Sequence, residues 1–146
     1  MRLHKIDAIE DFPPWMDRRN LAVFLHENLK PYEDTTDDIE RGLDYALSHQ
    51  PGKGGFVLLA EVDQKPAGAL VMLRTGMKGY VPENLLLFVA VDNQKRGQGI
   101  GTTLCRKATA ECEGDICLHV EYENPAKRLY ERLGFTSKYA EMRYSK

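Results

Sequence analysis

Three glycines that follow an apolar segment are the residues of this chain whose spacing most directly suggests chemistry. They lie in Gln94-Lys95-Arg96-Gly97-Gln98-Gly99-Ile100-Gly101, after the apolar run Leu85–Val91. Because glycine has no Cβ, the backbone can approach a ligand closely and adopt dihedral angles closed to other residues. A helix that begins directly after such a turn presents free N–H groups at the positive end of its dipole. The order of strand, glycine turn and helix predicts a site for phosphate oxygens; a plain surface connector is the alternative.

Two other phosphate-binding motifs do not fit these glycines. A P-loop requires G-x-x-x-x-G-K-[ST], and no Lys-Ser or Lys-Thr pair follows here. A dinucleotide fingerprint, G-x-G-x-x-G, requires a third glycine where this chain has Thr102. The segments before the turn also have the pattern of an antiparallel hairpin. An NTPase and a Rossmann domain are therefore disfavoured.

A second motif lies downstream of the glycine turn. Residues 124–135 read Asn-Pro-Ala-Lys-Arg-Leu-Tyr-Glu-Arg-Leu-Gly-Phe. This segment resembles the N-x-x-A-x-x-x-Y-x-x-x-G-F region of the GNAT superfamily of acyl-CoA-dependent N-acyltransferases, with the alanine one position early. Gln94-x-x-Gly97-x-Gly99 matches the Q/R-x-x-G-x-G/A pyrophosphate loop of the same family. The two motifs occur in the expected order, and their agreement is far more specific than either motif alone.

The resemblance implies an N-acetyltransferase that uses acetyl-CoA as its acyl donor. A primary amine would attack the thioester directly in a ternary complex, and a dimer is common among such relatives. Backbone groups of the central strand would contact the pantetheine arm, and successive amides of the glycine turn would hold the pyrophosphate. The implied cofactor-binding residues are Val89, Ala90, Val91, Arg96, Gly97, Gln98, Gly99, Ile100, Gly101, Thr102 and Asn124. Asn124 is also a preferred helix N-cap, and both roles stay open.

Tyr130 is the residue that the resemblance assigns as general acid. Its hydroxyl, with an ordinary pKa of about 10, stays protonated at neutral pH and can donate to a departing thiolate. Such a proton transfer is worth about 10²–10⁴ in rate. Tyr130 also falls on an apolar stripe with Ala126 and Leu133, so packing is the alternative role. We favour the catalytic role.

The general base is less well defined, because the apolar run Leu85–Val91 contains no carboxylate. Glu83 lies just before that run, while His119 and Glu121 share one face of the next predicted strand. Each could accept a proton through water, and an ordinary exposed surface position is the alternative for each. A substrate amine that arrives neutral would need no base. We predict Glu83 or Glu121.

Charge limits the partners of the chain. The formal net charge of -2 creates no global basic field, so nucleic-acid binding is not expected. An acidic stretch near the second predicted helix could attract a cationic amine, although a solvated helix face is the plainer explanation. Its members are Glu33, Asp34, Asp37, Asp38, Glu40 and Asp44.

Hydrophobic periodicity predicts the elements that must position these residues. The chain reads as one domain, residues 1–146, of α/β (α+β) class. The resemblance implies a mixed, mostly antiparallel sheet flanked by helices, with a splayed central pair of parallel strands. The predicted strands are Leu3–Ile6, Phe56–Val62, Ala67–Leu73, Leu85–Val91, Ile116–Val120 and a last strand or hairpin within Phe135–Tyr144. The predicted helices end near Lys30 and His49, run over Ile100–Cys112, and run over Pro125–Leu133.

Composition agrees with a folded domain, since 42% of residues are hydrophobic and 29% are charged. Cys105, Cys112 and Cys117 form no C-x-x-C pair, so reduced thiols are expected. The four histidines are scattered, which predicts no metal site. No signal-peptide or membrane-spanning pattern is visible, and we predict a cytoplasmic location without membrane partners. Two other classes remain open: a noncatalytic acyl-CoA-binding regulatory module, and an interaction domain without a CoA site.

Overall fold

Five strands form one sheet in the computed structural model, which describes residues 1–146. The strands are β1 (Arg2–Ile6), β2 (Gly55–Val62), β3 (Lys65–Arg74), β4 (Asn84–Val91) and β5 (Ile116–Leu118). The helices are α1 (Arg18–Leu29), α2 (Thr36–Ala46), α3 (Ile100–Glu111) and α4 (Ala126–Arg132). Short 3₁₀ turns lie at Ile9–Asp11 and Asn93–Lys95. None of the helices combines the length and the apolar character that a membrane span requires.

The strands follow one another across the sheet in chain order, β1-β2-β3-β4-β5. The first four pair antiparallel, and β4 pairs parallel with β5 across the α3 connection. The predicted hairpin is confirmed: Asp63 and Gln64 form its two-residue turn, with φ of 54° and 58°. Two central residues at positive φ are typical of a type I′ turn, whose twist matches that of the strands. The predicted mixed, mostly antiparallel sheet is also confirmed.

The core lies on both faces of the sheet. One cluster joins α1 and α2 to the sheet through residues such as Leu21, Leu43 and Val57. The other joins α3 and α4 to the opposite face through Leu104 and Tyr130, among others. Strands covered on both faces read as continuous apolar runs because neither face meets water. This accounts for the unbroken hydrophobic character of β2 and β3.

A β-bulge interrupts β4 at Leu87. Met72 pairs with Leu86 and Val71 pairs with Phe88, so Leu87 has no partner on β3. The extra residue reverses the alternation of side chains: Phe88 packs with the α1–α2 cluster, whereas Leu86 packs with the α3–α4 cluster. Bulges bend a strand and increase its local twist.

The parallel pairing of β4 with β5 stops at the same level. It covers only Asn84–Leu86 against Ile116–Leu118, while β4 continues to Val91. The buried Asn84 holds the paired end, because its Nδ2 donates to the carbonyls of Glu113 at 2.7 Å and Asp115 at 3.1 Å. The two strands are therefore tied at one end and separate at the other, as the predicted splayed pair requires.

The C-terminal part of the chain differs from the prediction. β5 ends at Leu118 rather than Val120, and the expected strand or hairpin within Phe135–Tyr144 is absent. Met142 and Tyr144 are 91% and 88% exposed. A segment that buries so little apolar surface gains too little to offset the entropy of ordering it into a ladder. The sheet consequently ends at β5.

Candidate active site

The glycine turn connects the carboxyl end of β4 to the first turn of α3. Gly97 and Gly99 have φ of 78° and 81°, in the left-handed region that favours glycine. Gly99 is the N-cap of α3 and supplies no side-chain cap. A Cβ placed at either glycine would meet no atom within 4 Å. The turn is thus open on its outer side, and its shape depends on residues without side chains.

The amides of this turn have no partners within the protein. None of the seven backbone N–H groups from Arg96 to Thr102 donates a hydrogen bond to another protein group. Thr103 N–H is the first that does, to the Gly99 carbonyl at 3.0 Å. Free amides at a helix N-terminus favour an anion, because they can donate to it and because the helix dipole is positive at that end. The geometry fits a diphosphate.

The beginning of the loop is held in place by Asp92. Its Oδ1 accepts from Gln94 N–H at 3.0 Å, and its Oδ2 lies 3.1 Å from Lys95 Nζ. The hydrogen bond from the Gln94 amide, followed by that from Lys95, lowers the pKa of Asp92. Asp92 N–H also donates to the Ala67 carbonyl at 2.9 Å, so the loop starts from a fixed point on the sheet.

The free edge of β4 adjoins this loop. Beyond Leu86 the strand has no neighbour on the β5 side, so main-chain groups of the segment that includes Val89, Ala90 and Val91 face the opening between the two strands. Val89 and Val91 are half-buried, and Ala90 is 4% exposed on the other face. An extended amide-containing chain can pair with such an edge in the way that an added strand does. The residues predicted to contact pantetheine therefore lie along the unpaired edge of β4.

Tyr130 is buried, with 8% of its surface exposed. Its ring packs edge-on against Phe135 at a centroid distance of 5.9 Å, within the cluster that contains Cys105. Burial raises the pKa of the Tyr130 hydroxyl, and the neighbouring Cys105 and Glu121 raise it further. The hydroxyl makes no hydrogen bond within the chain, and its oxygen is not completely buried. It is therefore a protonated donor whose tip is reachable.

Asn124 and Glu121 are joined beside Tyr130. Asn124 Nδ2 donates to Glu121 Oε1 at 3.0 Å, and Asn124 Oδ1 accepts from Ala126 N–H at 2.9 Å. Asn124 thus satisfies the first amide of α4, but the N-cap itself is Pro125, which has no side-chain cap, so the predicted N-cap role of Asn124 is not observed. His119 is exposed on the segment that leaves β5. Among the predicted bases, Glu121 is the one whose charge acts on Tyr130.

Glu83 lies at the other end of β4. Its side chain occupies the space above Gly114, just before β5. The eight residues of β4 separate it from the glycine turn, which at about 3.3 Å per residue is roughly 25 Å. The structure therefore brings Glu121, and not Glu83, to the side of the sheet where the glycine turn and Tyr130 lie.

The loop between α1 and α2 contacts the loop that follows β5, beside the opening between β4 and β5. Tyr32 OH donates to the Glu123 carbonyl at 3.4 Å. Partial desolvation raises the pKa of Asp34, and the charges of Asp38 and Glu121 raise it further. The cation Arg143 acts in the opposite direction. Part of the predicted acidic stretch thus faces Glu121 across the site.

Comparisons with known proteins agree with this geometry. The acetyltransferase (GNAT) domain family matches residues 53–137, which is more than half of the chain. The chain belongs to the GNAT acetyltransferase family. The predicted family is confirmed by this match, and the predicted fold class is confirmed by the mixed sheet flanked by helices. The matched region includes the glycine turn, β4, β5 and Tyr130.

Two GNAT relatives are similar in sequence over about half of this chain. N-alpha-acetyltransferase 30 of Homo sapiens is 39% identical over an alignment of 82 residues, and the match covers 53% of this chain and 23% of that protein. The Xenopus laevis protein of the same name is also 39% identical over 82 residues, 30% of its length. The chain thus spans less than a third of the curated relatives that it matches.

Solved structures of other proteins share the fold over the whole chain. A putative acetyl transferase from Pyrococcus furiosus has a TM-score of 0.64 at 20% identity, with 99% of each chain covered. Aminoglycoside N-acetyltransferase AAC(6')-Iy in complex with CoA has a TM-score of 0.63 at 17% identity, covering 99% of this chain and 98% of that one. At such identities the likeness establishes the fold alone.

Two features of this GNAT site were not predicted from the sequence. The bulge at Leu87 depends on register between strands, for which the apolar run of β4 contains no local signal. Asn28 hydrogen-bonds the glycine loop from α1, and in the sequence it is an ordinary polar helix residue. The arrangement as a whole can bind a diphosphate, align an extended chain along β4, and present a proton donor beside the opening.

Proposed function

We propose that this chain is an acetyl-CoA-dependent N-acetyltransferase that transfers the acetyl group to a primary amine by direct attack in a ternary complex. The observation that carries the proposal is the run of seven unpartnered amides from Arg96 to Thr102, placed next to the free edge of β4. Exposed amides of a plain connector also bond water, so the weight of the proposal falls on their place at the start of α3, beside the free edge of β4. The family match adds the class of reaction.

The residues present fit the cofactor. Backbone amides from Arg96 to Thr102, including those of Gly97, Gln98, Gly99, Ile100 and Gly101, hold the pyrophosphate, because the open glycines let its oxygens approach. Main-chain groups around Val89 and Val91 align the pantetheine arm. Acetyl-CoA supplies the thioester whose acyl carbon the amine attacks. Asn124 orients the start of α4 beside this region by accepting from the Ala126 amide.

Tyr130 holds the proton that the departing sulfur requires. Its raised pKa keeps the hydroxyl protonated, and the absence of a partner within the chain leaves that O–H free to donate. Glu121 is the better candidate for accepting the amine proton through water, since it lies beside Tyr130. Glu83 would have to act from the far end of β4. The acid and the base would thus come from the two ends of one loop-and-helix segment.

A cationic primary amine is the acceptor that the charges favour. Asp34, Asp38 and Glu121 place three carboxylates on the acceptor side, where Arg143 offsets part of their charge. The negative charge that is left raises the local concentration of a cation. The relatives named above differ in acceptor, one being an N-alpha-acetyltransferase and another an aminoglycoside N-acetyltransferase. Peptides with a free α-amine and aminoglycosides are therefore the first two arms of an acceptor screen. A cytoplasmic location and a homodimer remain predictions.

Thermal unfolding with acetyl-CoA tests the cofactor assignment, with ATP and NAD as controls. Ligand at 100 times its dissociation constant adds about 2.7 kcal/mol of stability. At about 2–4 °C per kcal/mol for a chain of this size, the midpoint should rise by several degrees. A saturable rise with acetyl-CoA alone is expected. No rise at high acetyl-CoA concentration would overturn the proposal and favour an interaction domain without a CoA site.

Tyr130→Phe tests the catalytic role. We expect kcat to fall by about 10²–10⁴, because the proton donor is removed. Affinity for acetyl-CoA should stay within about twofold, and folding should change little, since the hydroxyl has no hydrogen-bond partner to lose. Tyr32→Phe removes a hydroxyl from the other side of the opening and serves as the matched control. Unchanged kcat in Tyr130→Phe would reject the assignment, and a wild-type chain that binds acetyl-CoA but acetylates no amine would be a regulatory module.

A further inference from the structure

Asn28, in the last turn of α1, hydrogen-bonds the glycine loop at two places. Its Oδ1 accepts from Asn93 N–H at 3.0 Å, and its backbone carbonyl accepts from Arg96 Nη2 at 2.7 Å. Its Nδ2 donates to the Phe24 carbonyl at 2.9 Å, which fixes the direction of the amide. The three bonds use the backbone carbonyl and both ends of the side-chain amide.

The bond from Arg96 to the Asn28 carbonyl has a physical reason. The carbonyl of Asn28 is one of the last four of α1, which have no partner within the helix. A guanidinium at that position satisfies the carbonyl and offsets the negative end of the helix dipole. The Arg96 side chain is therefore turned toward α1.

The loop depends on this contact for its position. Between Asn93 and Gly99, the hydrogen bonds that reach beyond the loop, β4 and α3 all go to Asn28. Asp92 holds the loop to the sheet at its first residue, and the free amides begin four residues later at Arg96. A loop that binds through several converging N–H groups loses affinity when those groups must first be ordered. The contact with α1 supplies that order in advance.

We infer that Asn28 is a positioning residue that preorganises the phosphate-binding loop from the end of α1. The inference rests on the proposed function, since it requires acetyl-CoA to be the ligand of that loop. Asn28 itself need not touch the cofactor. It acts through Asn93 and Arg96, which set where the following amides lie.

Two substitutions at Asn28 separate this role from a contribution to folding. Asn28→Ala removes both side-chain bonds. Asn28→Asp keeps an oxygen that can accept from Asn93 N–H but loses the donor to the Phe24 carbonyl. Both variants should lower the unfolding temperature of the free protein. For acetyl-CoA the two should differ: the dissociation constant should rise about tenfold in Asn28→Ala, the loss of about one hydrogen bond, and stay within about threefold of wild type in Asn28→Asp.

The experiment is a calorimetric titration of the full chain with acetyl-CoA, alongside steady-state kinetics with an active amine. Asn20→Ala, which removes an exposed side chain near the start of the same helix, is the control and should bind as wild type does. KM for acetyl-CoA should follow the dissociation constant while kcat changes less than about twofold. Equal affinity in wild type and Asn28→Ala, or equal losses in Asn28→Ala and Asn28→Asp, would overturn the inference and leave the proposed function intact. A wild-type chain that binds no acetyl-CoA overturns both.

Discussion

The first turns of α2 and α3 solve the same problem in opposite ways. At α2, Thr35 Oγ1 accepts from Asp38 N–H at 3.1 Å, and Asp37 and Asp38 add negative charge to the positive end of the helix. At α3, Gly99 provides no cap, and the first turn contains no acidic residue. One helix satisfies its own N-terminus, and the other leaves it unsatisfied.

The difference shows that a helix N-terminus without a side-chain cap can mark a binding site. α1 behaves like α2, because Asp17 Oδ1 accepts from Asn20 N–H at 2.8 Å. Only α3, among the three long helices, begins without a side-chain cap. The cost of leaving these amides open is modest at a surface, where water can serve them, and the gain is a ready anion site. An external phosphate would occupy the place that Thr35 fills at α2.

The largest expected effect comes from filling the open turn. Gly99→Val places a branched side chain at a φ of 81°, in the open space beside the glycine turn. We expect acetyl-CoA affinity to fall about 100-fold, which corresponds to the loss of one or two hydrogen bonds to a charged group. Gly52→Val is the matched control, since Gly52 has a φ of 83° and equally open surroundings far from the site. Titration calorimetry should show lost binding in Gly99→Val alone, and comparable losses in both variants would contradict the comparison.

A smaller effect is expected when α3 is given the acidic first turn of α2. Thr102→Glu should raise the stability of the free protein by about 0.3–1 kcal/mol through the helix dipole. The same charge should repel the diphosphate and weaken acetyl-CoA binding by roughly fivefold to tenfold. Thr102→Gln, which has the same shape without the charge, should leave both quantities near wild type. The opposite signs for melting temperature and affinity are the decisive result; parallel changes would show that the α3 N-terminus does not serve an anion.

The smallest effect on the site should come from uncapping α2. Thr35→Ala removes the acceptor for Asp38 N–H and should lower stability by about 1 kcal/mol, or about 2–4 °C in melting temperature. Affinity for acetyl-CoA should remain within about twofold. Thr36→Ala, at a neighbouring exposed threonine without a capping bond, is the control for stability. If Thr35→Ala weakened cofactor binding as strongly as a change in the glycine turn, the two helix ends would not be independent.

Most elements were predictable because their signals are local. The helical spacing of Ile100, Leu104 and Ala108 placed them on one buried face of α3, as the structure confirms. The turn between β2 and β3 was also predictable as a hairpin connection. The C-terminal segment was not, since apolar residues such as Tyr139 and Met142 are compatible with a strand but find nothing to pack against. Local pattern indicates what a segment can form, and burial decides whether it does.

Some features of the site were also predictable from local sequence, and others were not. The glycine turn and the helix that follows were evident from adjacent residues. The choice between Glu83 and Glu121 could not be made from spacing, because both flank predicted strands. It depended on the direction in which β4 and β5 run, which places Glu83 at the tied end and Glu121 at the open end.

The sequence by itself determined the free amides of the glycine turn, because positive φ at Gly97 and Gly99 and the missing cap are properties of consecutive residues. Only the tertiary structure decided how that turn is held and where the sheet opens. Asn28 reaches Asn93 and Arg96 across 65 and 68 positions of the chain, and the bulge at Leu87 arises from register against β3. Contacts over such separations are set by how whole elements pack, and a local pattern of residue types does not specify that packing.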